Sequence, residues 1–203
     1  IDHPNISRLY EFRATAKAHF IFAEIAAYGT LEEHLKAVRS SPGYTPALLE
    51  NQVRAYIEQI LMALVYCHEL GVYQQQMKLS DVLLEDENTV KIASFGMCLL
   101  SFPRASKLLP HYTSPEGLHG QLHGGAPAEV WSLGVILFQL LTGRLPFDEP
   151  DEEALTNKIQ WGYFKMRNSD QLSAPAEDLL RRMLDPDAKT RISLDAVISH
   201  EWI

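Results

Sequence analysis

The residues best suited to chemistry lie in one short polar stretch near the middle of the chain. Three consecutive glutamines, Gln74, Gln75 and Gln76, are followed by Lys78 and Asp81. A carboxylate such as that of Asp81 can hold a divalent cation, and a lysine ammonium can bind phosphate. Glutamine amides are neutral and cannot take up a proton near neutral pH. The three glutamines could therefore hydrogen-bond a ligand but could not deprotonate it.

The elements that would position this stretch are predicted from the spacing of apolar residues. Strands are predicted at Ile6–Phe12, His19–Glu24, Val82–Leu84 and Val90–Ile92. Thr30 is a predicted N-cap for a helix over Leu31–Val38, and a long helix is predicted from Thr45 and Pro46 through about Leu70. Further helices are predicted over 126–141, 151–160, 174–183 and 193–199. The pattern indicates an α+β fold, mainly helical, with a small β element at its start.

The charge balance limits the kinds of partner. The 203 residues include 18 basic and 26 acidic side chains, a net charge of −8, which disfavours nucleic acid and anionic membranes as partners. Acidic residues are concentrated in the run from Asp148 to Glu153. A solvated loop and helix start is the favoured interpretation of this run, with a docking surface for a basic partner as the alternative.

Two further features concern compartment and membrane. Cys67 and Cys98 are the only cysteines, no CxxC spacing occurs and no leader-like segment opens the sequence. This predicts a reducing cytoplasmic or nuclear compartment, with neither a disulfide nor a zinc site. The apolar stretch over 131–141 is too short and too polar to span a bilayer, so we expect a buried core helix there.

Eight short motifs occur in a fixed order along the chain. They are His3–Ile6, Ala23–Ile25, Tyr66–Gly71, Tyr112–Glu116, Glu129–Val135, Gly143–Phe147, Asp185–Ile192 and Trp202. Together they resemble the C-lobe of a Ser/Thr protein kinase, nearest to the calmodulin-dependent and AMP-activated group. The resemblance implies a kinase-like fold in which residues 1–25 are a partial N-lobe remnant, with two strands and the hinge, and residues 26–203 are the C-lobe.

The resemblance also places the catalytic positions, and several of them are altered. Gln74, Gln75 and Gln76 stand where kinases have His-Arg-Asp, so Gln76 replaces the catalytic aspartate. Ser94, in Ser94-Phe95-Gly96, replaces the aspartate that holds magnesium, and a neutral hydroxyl is a poor ligand for that ion. Lys78 keeps its position, and Asp81 replaces the catalytic-loop asparagine and could still hold a metal. The resemblance therefore implies a degenerate kinase, a pseudokinase.

Other positions carried over from the family are structural. Glu116 and Arg191 are expected to form a buried ion pair that orders the lobe, and Trp131 is expected in the core. Phe95 and Gly96 are retained from the metal-binding motif. Glu129 replaces a helix aspartate that accepts hydrogen bonds from the catalytic-loop backbone. Because glutamate is one methylene longer, we expect the loop beside it to be displaced.

Nucleotide binding is doubtful from the sequence. Ala23, Glu24, Ile25 and Leu83 align with the gatekeeper, the hinge and the floor of an adenine pocket, but a plain buried strand residue is the favoured interpretation of Leu83. No GxGxxG motif occurs. We therefore expect no cofactor, with ATP and Mg²⁺ as the alternative.

The predicted function is that of a catalytically inactive scaffold or allosteric module. Its partner would be another protein, for example an active kinase. The two strands within residues 6–24 should expose unpaired edges and an apolar face, to be covered by the remainder of a longer chain or by a partner. The alternatives are a residually active, ATP-dependent Ser/Thr kinase that uses Asp81 for metal, and a structural component of a large complex.

Overall fold

The computed structural model describes residues 1–15, 18–40, 48–74, 76–93, 110–119, 125–167 and 172–203. Within these ranges the strands are β1 (Leu9–Ala14), β2 (His19–Ala23), β3 (Val82–Leu84) and β4 (Val90–Ile92). The helices are α1 (Leu31–Ser40), α2 (Glu50–Glu69), α3 (Pro115–Leu118), α4 (Gly125–Thr142), α5 (Glu152–Gln160), α6 (Ala174–Met183) and α7 (Leu194–Ile198). Two single turns of 3₁₀ helix lie at Leu79–Asp81 and Pro110–Tyr112. The predicted α+β class is confirmed.

The strands form two separate antiparallel hairpins, β1 with β2 and β3 with β4. Every residue of β1 and β2 is exposed, including Tyr10, Phe12 and Phe20, which confirms the expected exposed apolar face. The prediction that the first strand begins at Ile6 was wrong. Ile6 is buried and forms a parallel bridge with Ile92 of β4, so it packs against the helical lobe and not in the first hairpin.

Helix α2 starts later than the sequence pattern predicts. Thr45 and Pro46 lie outside the described residues, but Leu49 has an extended backbone, with φ −66° and ψ 141°, and is the N-cap of a helix that begins at Glu50. Leu48 is buried, and its N–H donates to the carbonyl of Leu140 in α4. This contact ties the segment before α2 to the core, which explains why the helix does not extend further back.

The other helix starts follow local capping chemistry. The Thr30 hydroxyl accepts from the N–H of Glu33 and the Glu33 carboxylate accepts from the N–H of Thr30, a capping box that confirms Thr30 as the predicted cap of α1. Ser114, Asp151, Ser173 and Ser193 cap α3, α5, α6 and α7 through their side-chain oxygens. These caps satisfy N–H groups that a helix start leaves unpaired.

Helix α4 is the central core helix and packs against α2 and α6. Among the described residues it is also the one helix that, by length and composition, could cross a membrane. Of its 18 residues, 78% are buried inside the protein. The stretch over 131–141 is part of a longer helix of 18 residues. Its burial is what a core helix shows, as predicted.

A second, smaller core cluster lies beside α4. The Trp131 ring is fully buried and stacks on Phe147, with centroids 5.3 Å apart and planes 5° from parallel. Leu155 and Ile159 of α5 pack into the same cluster. The prediction of Trp131 as a core residue is confirmed, and the cluster fixes α5 against α4.

Candidate functional site

The loop before Lys78 is anchored by Glu129 of α4, a side chain that is 1% exposed. Its carboxylate accepts a hydrogen bond from the backbone N–H of Gln74 and lies against Nε2 of His68. Burial raises the pKa of Glu129, while the contact with His68 opposes the rise. The longer glutamate thus reaches the loop backbone, and the expected displacement of the loop stays a prediction.

Gln74 and Gln76 take different positions in this loop. Gln74 is buried, and within the described part of the chain its side-chain oxygen has no hydrogen-bond partner. Gln76 is exposed, and its Nε2 donates to the hydroxyl of Thr113 at 3.1 Å. Gln75 lies outside the described residues. Gln76, which the resemblance aligns with the catalytic aspartate, is thus a neutral amide that is fixed by a second segment of the chain.

Lys78 and Asp81 lie together at the mouth of the loop. Lys78 Nζ is 4.0 Å from Asp81 Oδ1, and the Lys78 N–H donates to Asp81 Oδ2 at 3.1 Å. Burial raises the pKa of Asp81, and the bonds and charge of Lys78 work against this. Among the described residues no group of three or more metal-binding side chains occurs. Asp81 already pairs with Lys78, so a divalent cation would have to compete with the lysine for this carboxylate.

The remaining positions of the altered metal-binding motif, Ser94, Phe95 and Gly96, lie outside the described residues, as does Cys98. Cys67 is buried on α2, and burial together with the charge of Glu129 raises the pKa of its thiol to about 11. A thiol with so high a pKa stays protonated at neutral pH. Cys67 is therefore a packing residue and not a nucleophile.

The residues aligned with an adenine pocket do not form an enclosed pocket within the described chain. Ala23 is exposed, Ile25 is 87% exposed, and Leu83 is half-buried in β3, where it bridges to Thr30. Glu24 is the best fixed of the four, because its carboxylate pairs with Lys91 Nζ at 2.6 Å. The segment from Ala23 to Ile25 is thus held to β4 through Glu24, and its Ala23 and Ile25 side chains are exposed.

Lys91 of β4 binds two carboxylates at once. Its Nζ lies 2.6 Å from Glu24 and 2.6 Å from Glu85, and its side chain is only 15% exposed. Burial disfavours the charged lysine, but the two carboxylates outweigh that and raise the pKa of Lys91. This clamp joins the end of the first hairpin to the second hairpin.

The ion pair of Glu116 and Arg191 is present as expected. The guanidinium also donates to the carbonyls of Pro127 and Asp185 and lies over the Trp131 ring, 5.0 Å from its centroid. All five of these residues are remote from the loop of Lys78 in sequence. Their arrangement orders the lobe and offers no reactive group.

Sequence reasoning missed the roles of three residues in the site: His68, Lys91 and Thr113. Their partners lie 61, 67 and 37 residues away along the chain. Local spacing carries no signal for contacts of this range, since the fold alone brings the partners together. The identity of Glu129 as a family anchor position was the one sequence feature that pointed towards His68.

Comparisons with known proteins agree with this architecture. The sequence profile described as Protein kinase domain matches residues 1–203. Serine/threonine-protein kinase GIN4 of Saccharomyces cerevisiae is 38% identical over 98% of this chain, and CBL-interacting protein kinase 3 of Oryza sativa is 34% identical over the whole of it. The mitosis inducer protein kinase cdr2 of Schizosaccharomyces pombe is 33% identical, also over the whole chain. The chain spans 17%, 45% and 26% of the lengths of these three relatives. It belongs to the protein kinase domain family.

Proposed function

We propose that this chain is a catalytically inactive kinase-like domain that acts as a scaffold or allosteric protein-interaction module. The observation that carries the proposal is Gln76, an amide bound to Thr113 at the position where the family has its catalytic aspartate. An amide cannot accept a substrate proton near neutral pH, and loss of such a base costs roughly 10² to 10⁴ in rate. The domain would then act through its surfaces.

The metal side of the cleft supports the same proposal. Asp81 aligns with the family's metal-binding asparagine, and it is paired with Lys78. The second family position for magnesium is Ser94, a neutral residue. Losses at the base and metal positions both raise the barrier to phosphoryl transfer, which depends on positioning and charge neutralisation. We therefore propose that ATP and Mg²⁺ are not its cofactors.

Exposed surfaces are the parts that a partner could use. The hairpin of β1 and β2 exposes aromatic side chains on a protein whose helical lobe is well packed. We propose that this hairpin is covered by a partner protein, such as an active kinase, or by the remainder of a longer chain. The acidic run is a weaker candidate, because Asp151 caps α5 and Glu149 pairs with Lys158.

The test is a phosphotransfer assay on the full-length protein with Mg²⁺ and ATP, together with thermal melting in the presence and absence of both. We expect no phosphotransfer and no rise in melting temperature. Phosphotransfer that Asp81→Ala abolishes would contradict the proposal. Gln76→Asp combined with Ser94→Asp is the matched gain-of-function variant, and activity in this double variant alone would show that those two positions limit catalysis.

A residually active Ser/Thr kinase is the second candidate. The retained Lys78 favours it, as does Asp81, which replaces the catalytic-loop asparagine with a carboxylate. The relatives at 33 to 38% identity are named as protein kinases. In this reading Asp81 holds a metal, and a region absent from this sequence completes the nucleotide site. The melting assay distinguishes the active kinase from the inactive module, since ATP and Mg²⁺ should raise the melting temperature of an active kinase.

A structural role in a large complex is the third reading. Four curated relatives are named for an interaction with CBL, and a protein partner is what we propose here too. We propose a cytoplasmic or nuclear location, because the two cysteines show no CxxC spacing. We propose neither nucleic acid nor membrane as a partner, because the net charge is −8. Affinity capture of the full-length protein with Asp148, Glu152 and Glu153 neutralised, compared with the wild type, tests whether the acidic run contributes to assembly.

A further inference from the structure

Helix α2 carries an apolar stripe on a face that the cleft does not use. The stripe consists of Leu61, Met62, Val65 and Tyr66, and Glu58 and Glu69 stand at its two ends. These six residues follow the spacing i, i+3, i+4, i+7, i+8 and i+11, so they share one side of the helix. Met62, near the middle, is 63% exposed. Leu61 is buried in the core, and Val65 and Tyr66 are partly buried against it. The stripe is therefore an apolar surface that rises from the core and is most accessible at Met62.

The stripe forms one wall of a groove of about 480 Å³. Ile198 at the end of α7 and Ile203 form the opposite wall, and His3 closes one side by packing on the Tyr66 ring, with centroids 5.1 Å apart. Ile198 is 40% exposed. An elongated groove with aliphatic walls suits the apolar face of a helix, which presents anchors at i, i+3, i+4 and i+7.

The charges at the groove narrow the choice of occupant. Glu58 and Glu69 are both exposed and lie about 16 Å apart along the helix axis, given a rise of about 1.5 Å per residue. Among the described residues that line the groove there is no lysine or arginine, and burial lowers the pKa of His3. The rim is therefore negative at both ends. It repels a fatty acid, an acidic peptide or an anionic lipid surface.

A second copy of this chain fits the groove poorly. A two-fold pairing of α2 with itself would place Glu58 of one copy near Glu69 of the other, because both copies offer the same surface. Like charges placed together in this way oppose association. The complementary occupant carries an apolar stripe of its own and a positive charge at each end.

We propose that this groove binds an amphipathic helix of a partner protein, with aliphatic anchors on Met62 and Val65 and with basic residues at both ends facing Glu58 and Glu69. This inference rests on the proposed function, because it names one surface through which the domain would act as an interaction module. It concerns a face away from Gln76. A peptide-binding assay measures binding at the groove, and the phosphotransfer assay measures catalysis in the cleft. Failure of this inference is therefore distinguishable from failure of the proposed function.

The test uses a fluorescent helical peptide with leucines at helical spacing and a lysine at each end, about 11 residues apart. Its binding to the full-length protein is followed by fluorescence anisotropy. Met62→Glu should weaken binding at least about tenfold, because it places a carboxylate in the apolar contact. Leu49→Glu is the matched control, since Leu49 is 70% exposed at the N-cap of the same helix and outside the groove, and it should leave binding unchanged.

Charge reversal provides the second arm and does not depend on Met62. Glu58→Lys with Glu69→Lys should weaken binding of the lysine-ended peptide roughly 2- to 30-fold, and a peptide with glutamate at both ends should regain the lost affinity. Four results would overturn the proposal. They are the absence of binding to the full-length protein, binding unaffected by Met62→Glu, no recovery with the charge-reversed peptide, and self-association through the groove that Met62→Glu abolishes.

Discussion

Glu116 and Arg191 lie 75 residues apart in the chain, yet they meet in a two-point ion pair with N–O distances of 2.7 and 3.0 Å. The Arg191 side chain is fully buried and that of Glu116 is 13% exposed. A parallel pair of charge-assisted hydrogen bonds fixes both distance and orientation. The pair therefore locks α3 onto the segment before α7 and holds Trp131 under the guanidinium.

Removal of one partner of this pair should destabilise the protein strongly. Glu116→Ala leaves the Arg191 charge buried without its carboxylate, which typically costs about 3 to 5 kcal/mol. Glu177→Ala is the matched control, because Glu177 pairs with Arg181 on the surface of α6 and exposed pairs contribute less than about 1 kcal/mol. Urea unfolding of the two variants measures the difference. Equal losses in the two variants would contradict the locking role of Glu116.

The same pair should give the stability a pH dependence. Burial opposes ionisation of Glu116, but the bonds and charge of Arg191 outweigh it and lower the pKa below 4.5. An acid whose pKa is lower in the folded state binds fewer protons there than in the unfolded state. Its stabilising contribution is thus present above pH 4.5 and is lost as the pH falls through the folded pKa.

Glu116→Gln isolates this contribution from that of other acids. The buried Glu129 has a raised pKa, so its own contribution changes with pH in the opposite direction. We expect the free energy of unfolding of the wild type to fall below pH 4.5 more than that of Glu116→Gln. Urea midpoints at a series of pH values measure both. Parallel curves for the two proteins would show that Glu116 does not titrate in this range.

Much of the fold could be predicted from the sequence, because most of its elements are set by local chemistry. The Thr30 cap, the apolar spacing of α2 and the short strands β3 and β4 are all local patterns, and the structure contains them. The boundaries that were wrong have long-range causes. Ile6 pairs with Ile92, and the N–H of Leu48 is held by Leu140. Such contacts are absent from any local window of sequence.

The site was predictable in residue type but not in geometry. The family positions of Gln76 and Asp81 follow from motifs in register. The bond from Gln76 to Thr113 and the pairing of Lys91 with Glu24 and Glu85 depend on how distant segments pack. Glu129 shows the difference best, because its family position follows from the sequence, whereas its hydrogen bond to the Gln74 backbone is visible only in the structure.

The close approach of α4 and α6 should make Gly134 intolerant of a side chain. A Cβ at this position would lie 3.0 Å from Met183 Cβ and 3.0 Å from Leu184 Cδ2. Met183 Cβ cannot move without its backbone, so Gly134→Ala should destabilise the protein by about 1 to 2 kcal/mol, although alanine favours helix. Asn157→Ala on the exposed side of α5 is the control for helix propensity and should be neutral or stabilising. A Gly134→Ala protein with an unchanged urea midpoint would show that the helices can separate at no cost.

The Lys91 clamp should control how firmly the first hairpin is held. Lys91→Met keeps the aliphatic length of the side chain but removes the charge, leaving Glu24 and Glu85 without their shared cation. Hydrogen bonds to charged groups contribute about 1.5 to 3 kcal/mol each, and less where the side chains are partly exposed. We therefore expect a lower melting temperature and faster hydrogen exchange in β2. Lys36→Met is the control, since Lys36 pairs with Glu32 on the exposed side of α1 and should leave exchange in β2 unchanged. A lower melting temperature with exchange in β2 as slow as in the wild type would contradict the role of the clamp. The hairpin would then be held by its backbone contacts, such as the bond from the Glu24 N–H to the Arg8 carbonyl.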